Sequence, residues 1–158
     1  MSTPAGDVPR TLRVIRGALL ALVALGTAGM STELLLIGHF EDPLQLVPLA
    51  AAGLALVFIA WVAMRPGTVS LRAFQFLMLS FIATGVTGIT VHFNANAEFQ
   101  HDIDPALTGL PLFWKVVEAT APPALAPGVM VQLGLLGLLY TYKHPLLAEE
   151  PFTERHGG

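Results

Sequence analysis

Long apolar stretches alternate with polar ones along this chain. Four apolar runs stand out: Gly17 to Gly38, Leu44 to Met64, Phe74 to Val91, and Ala124 to Tyr142. Each is about 18–22 residues, the length that crosses ~30 Å of hydrocarbon at ~1.5 Å per residue. Backbone exposed to lipid must satisfy its own hydrogen bonds, so each run is expected to be a helix. The spans are expected over about 14–38, 44–65, 71–93 and 124–143, in one membrane domain covering 1–158. Residues 94–123 are expected to form a polar loop, with a short interfacial helix at about 111–120 that carries Leu112, Phe113, Trp114, Val116 and Val117. Asp104-Pro105 looks like a helix N-cap followed by Pro at the first helical position. Pro122-Pro123 ends the short helix. Residues 1–9 and 146–158 read as mobile polar tails. The fold class is all-α: an integral membrane protein of four transmembrane helices.

A competing reading treats Ala18 to Leu25, followed by Thr27-Ala28-Gly29, as a cleavable leader with a small-residue cleavage site. Against it, the apolar run resumes at Leu34 to Ile37.

Internal repetition refines the picture. Shifted by 59 residues, Leu12-Arg13 falls on Leu71-Arg72, Leu20 on Leu79, Ala24 on Ala83, Gly26 and Gly29 on Gly85 and Gly88, and Phe40 on Phe99. Shifted by 79, Pro48 falls on Pro127, Leu54 on Leu133, Leu56 on Leu135, and Arg65-Pro66 on His144-Pro145. The chain reads as two tandem hairpins in parallel repeat, with a pseudo-two-fold along the membrane normal. Glu33 falls on His92 and His39 on Glu98, so acid and imidazole exchange places. Gly26, Gly29 and Glu33 share one helical stripe, and Gly85, Gly88 and His92 another. Small residues let transmembrane backbones approach closely. The first and third helices are therefore expected to cross at these glycines, bringing Glu33 beside His92.

Charge sets the orientation. Only 12% of residues are charged, where a soluble domain is nearer a quarter. Arg10, Arg13 and Arg16 precede the first run, Arg65 and Arg72 separate the second from the third, and Lys143 and His144 follow the fourth. The other connections carry Glu41, Asp42, Glu98, Asp102 and Asp104. Basic loops stay in the cytoplasm, so both termini are expected there, in a membrane of the bacterial inner type. A net charge of −3 gives no footprint for nucleic acid. With no cysteine, disulfides, thiolate metal sites and cysteine nucleophiles are excluded.

The candidate chemistry gathers at the acidic end. Glu33 is the one ionisable residue inside an apolar run, where a charge near the centre costs ~2.5–3.5 kcal/mol. It reads equally as a proton or cation ligand and as a carboxyl at headgroup level. Glu33, His39, His92, Glu98 and His101 combine imidazole and carboxylate, a donor set that suits a divalent metal such as Zn²⁺. No spacing matches a motif such as His-Glu-x-x-His, and a solvated acidic loop is the plainer reading. A bis-His haem on His39 and His92 is disfavoured, because their registers differ by ~9 Å of helical rise. No nucleophile elbow or triad is present, so no catalytic residue is assigned. Gln45, Gln75 and Gln132 read as interhelical hydrogen bonds. The expected function is a non-enzymatic subunit or binding module in the lipid bilayer, presenting a Glu/His site and joined to copies of itself or to a larger membrane complex. A small transporter or channel protomer and a metal-dependent membrane enzyme are the alternatives.

Overall fold

The computed structural model describes residues 7–119 and 125–147. The expectations for residues 1–6, 120–124 and 148–158, including most of both tails, the Pro122-Pro123 break and the start of the fourth apolar run, lie outside the described residues. Those described are all-helical, with no strand: α1 Asp7–Leu36, α2 Leu46–Met64, α3 Thr68–Ile103, α4 Gly109–Val117 and α5 Leu125–Thr141, followed by a 3-10 turn at Pro145–Leu147. Three helices, α1, α2 and α3, are long and apolar enough to cross a membrane, and α5 is a shorter apolar helix.

The breaks between helices follow local chemistry. Gly38 ends α1 in the left-handed region, at φ +70°. The His39 N–H donates to Leu34 O at 2.9 Å and the Gly38 N–H to Leu35 O at 3.2 Å. This is the paired reverse bonding that a glycine just past a helix allows. α2 stops because Pro66 pushes Arg65 out of the helical region, to φ −139°, ψ 70°. Ser70 then fastens the start of α3, accepting from the Gly67 N–H at 3.0 Å.

α3 corrects two expectations. It continues through Asn94 and Glu98 to Ile103, where a loop was expected, because no Gly or Pro follows Gly88 until Pro105. Polarity there signals water rather than a break in helix. At 36 residues α3 is about 54 Å long, well beyond the ~30 Å of a hydrocarbon core. Asp104 closes α3 rather than opening a helix: its Oδ1 accepts from the Ala106 N–H at 3.0 Å, forming a turn around Pro105. The same short acceptor that caps helices also closes turns. α4 begins at Gly109 behind Thr108 and folds back on α3, with the Phe93 and Phe113 ring centres 6.0 Å apart.

Helices α1, α2, α3 and α5 form a ring in which α1 packs on α2 and α5, and α3 packs on α2 and α5. Short links make consecutive helices neighbours, which leaves α1 and α3 on a diagonal. They have no Cα atoms within 8 Å of each other. The expected glycine crossing of these two helices is therefore absent. The glycines serve α5 instead. A Cβ on Gly26 would meet the Leu133 side chain at 2.6 Å, and one on Gly85 would meet Pro127 O at 2.6 Å. Gly134 and Gly137 of α5 seat Met78, Ile82 and Phe74 in return, while Gly29 faces open space. The core follows helical spacing: Val23, Thr27, Met30 and Leu34 on α1, then Ala52, Ala55, Ile59 and Val62 on α2. Leu71, Phe74, Met78 and Phe81 of α3 and Met130, Leu133 and Tyr140 of α5 complete it. Many large apolar side chains remain exposed, among them Leu25, Leu36, Val57 and Phe76. Burial in lipid accounts for such a surface, whereas water would not tolerate it.

Candidate functional site

The acidic end of the bundle carries the 37–45 link, the second half of α3 and α4. Its geometry starts from Gly38. The turn that ends α1 sends His39 off the helix and back over the bundle, half-buried. There its ring centre lies 6.2 Å from that of His92, with the two planes inclined at 34°. The register argument that separated these imidazoles assumed that α1 continued through His39. Because it stops at Leu36, the separation disappears.

The remaining candidates do not join this pair. Glu33 is exposed on α1, and no ion pair links it to His92 among the described residues. At about 100° per residue, Glu98 stands about 120° around α3 from His92, and His101 stands on about the opposite side. Glu98 is exposed and His101 half-buried. Among the described residues no group of three or more His, Asp or Glu is placed to hold a metal ion. Asp104 is engaged in its turn, and Asp42 likewise accepts from the Leu44 N–H at 2.9 Å. Gln45 also stays local, its Oε1 accepting from the Glu41 N–H at 3.0 Å and the Asp42 N–H at 3.3 Å. These bonds hold the link that carries His39.

Electrostatics favour the neutral form of His39. Burial lowers its pKa below the ordinary imidazole value, and the neighbouring His92 lowers it further. Burial strips water from the cation, and a second imidazole that protonates opposes the first. A neutral ring is also the form that ligates a metal. Two imidazoles on one Zn²⁺ hold their ring centres about 5–6 Å apart, given Zn–N bonds of about 2.0–2.1 Å. The observed 6.2 Å lies just beyond that range, so the rings would have to close slightly on an ion.

The one signal in the sequence for this pairing is Ile37-Gly38-His39, a glycine at the end of an apolar run with a functional side chain directly after it. At the opposite end, residues used above only to orient the chain come together. Gln75 bridges α3 to α5 by donating from Nε2 to Thr141 Oγ1 at 3.0 Å, while Gln132 is exposed. Arg16 of α1 donates to Lys143 O at 3.0 Å and Tyr142 O at 3.3 Å. No protein-family model, curated protein or solved structure matches the chain.

Proposed function

We propose that this protein is a non-enzymatic subunit or binding module of a bacterial inner membrane, which offers His39 and His92 as a divalent-metal site on the face away from the cytoplasm. The 6.2 Å approach of the two rings carries this reading. α5 serves as a fourth span. Its 17 residues reach about 26 Å, and it lies against both α1 and α3. The arginines before α1 and between α2 and α3 put the basic end in the cytoplasm, which leaves the imidazole pair outside. Zn²⁺ normally takes four ligands. Two from this chain leave two positions for a second copy or for another subunit, which is why a binding module fits better than a self-contained enzyme.

Calorimetric titration of the purified protein with Zn²⁺ tests the reading. Wild type should bind, and His39→Ala and His92→Ala should each abolish binding while Glu98→Ala leaves it unchanged. Wild type that takes up no Zn²⁺, or a His92→Ala variant that binds as wild type does, overturns it.

A further inference from the structure

Where α3 begins and α5 ends, the helices part around a cavity of about 500 Å³. Its polar wall is Arg72 and Gln75 from α3 and Thr141, Lys143 and His144 from the end of α5, with Leu138 among its apolar residues. Among the described residues no carboxylate lines it. We propose that this cavity is an anion site for a phosphate group, and that an acidic phospholipid of the adjoining leaflet supplies that group. The inference depends on the membrane reading of the helices and not on the His39/His92 pair, which sits at the other end.

Three features make the cavity more than a patch of surface cations. First, its polar side chains are already ordered in a relay. Arg72 Nη1 donates to Gln75 Oε1 at 3.3 Å, Gln75 Nε2 to Thr141 Oγ1 at 3.0 Å, and Thr141 Oγ1 to Leu138 O at 2.9 Å. That relay spends one of the five guanidinium N–H donors of Arg72, and the planar fork matches phosphate oxygens.

Second, the backbone around it favours negative charge. α3 starts at Thr68 and turns its positive end toward this region. The end of α5 would oppose an anion, but Arg16 already occupies the carbonyls of Tyr142 and Lys143. Third, the chain is bent to aim Lys143. This non-glycine residue sits in the left-handed region at φ +46°, its amine 5.6 Å from the centre of the Tyr142 ring. Such a conformation is uncommon outside glycine. Thr68 Oγ1 donates to Leu146 O at 2.9 Å, tying the segment after Lys143 back to α3. A mixed apolar and cationic cavity at the end of transmembrane helices suits a lipid phosphate with its first acyl carbons.

The test uses the full chain reconstituted into vesicles of phosphatidylcholine alone or with phosphatidylglycerol, and in detergent with inorganic phosphate. Melting is followed for wild type, Arg72→Gln/Lys143→Gln, Lys143→Gln alone and Arg13→Gln. Arg13 is exposed on α1 and does not line the cavity, so it controls for general attraction to an anionic surface. Phosphatidylglycerol should raise the wild-type melting midpoint, and each cavity cation removed should weaken apparent lipid affinity about fivefold. Arg13→Gln should respond as wild type does. Lys143→Gln breaks no side-chain hydrogen bond among the described residues and keeps the test valid if the double variant fails to fold. Protection of wild type by inorganic phosphate alone, lost in the same variants, upholds the site and assigns it to a soluble phosphate. Equal responses in wild type and Lys143→Gln, or no response of wild type to either probe, overturn the proposal.

Discussion

Gly134 faces the backbone of Met78 so closely that a Cβ built on it would stand 2.7 Å from the Met78 carbonyl oxygen. Backbone cannot yield as a side-chain tip does, so this contact admits only glycine. Overpacking a close-packed interior costs about 1–3 kcal/mol, and sometimes more. Gly134→Leu and Gly85→Leu should therefore lower the melting temperature in detergent sharply, while Gly29→Leu and Gly53→Leu, which point into open space, should melt near wild type. If Gly134→Leu and Gly85→Leu melted near wild type, the packing of α3 on α5 would be wrong.

His39 should make stability depend on pH in one direction. Its pKa in the folded chain lies below the ordinary 6.5, chiefly through burial. The unfolded chain therefore takes up the proton first, and stability rises with pH in that interval. Its contribution is fully present above 6.5 and is lost as pH falls through the range beneath it. Melting midpoints from pH 8 down to 5 should show this decline in wild type, and His39→Gln should flatten it. A His39 titrating above 6.5 by NMR would show that the ring is not buried as described.

Thr27 is fully buried, and its hydroxyl has no hydrogen-bond partner among the described residues. An unsatisfied buried polar group costs about 1–3 kcal/mol. Thr27→Val keeps the shape and removes the hydroxyl, so it should raise the melting temperature. A loss of stability instead would reveal a partner for that oxygen.

Gln75 and Thr141 join α3 to α5 inside the bundle. Side-chain bonds between membrane helices contribute about 0.6 kcal/mol on average, up to about 1.7. Gln75→Leu and Thr141→Val should each lose about this much, and the pair together less than the sum. Strict additivity would mean that the two side chains act independently.

Reporter fusions check the orientation. Those after Pro66 and after His144 should report cytoplasm, and those at Asp42 and Asp104 the other side. A cytoplasmic signal at Asp104 would reverse the proposed face of the imidazole pair.

The helices were largely legible in the sequence because apolar length and breaker residues are local properties. Gly38, Pro66 and Pro105 each mark a boundary that the chain obeys. Helical periodicity likewise describes the core stripe Val23, Thr27, Met30, Leu34. What could not be read was which face meets which neighbour. Gly26 and Gly85 do make close contacts, but the partner in both cases is α5, since short links set α1 and α3 on a diagonal. The candidate site suffered from the same limit. Glu33 and His92 fall together under a shift of 59 residues in sequence, yet His92 finds His39, because one left-handed glycine redirects the chain after α1. The cavity at the basic end was hidden because Arg72 and Lys143 lie far apart in sequence and had a sufficient explanation as orientation signals.

Arg16 lies in α1, and the carbonyls that it binds, of Tyr142 and Lys143, follow α5, 126 and 127 residues later. Until residues 142 and 143 have been made, that guanidinium has no such acceptor. The Arg16 contact between α1 and the end of α5 thus waits on synthesis of the segment after α5. A chain truncated before Tyr142 would leave the Arg16 guanidinium without these two acceptors and α1 without that tie to α5.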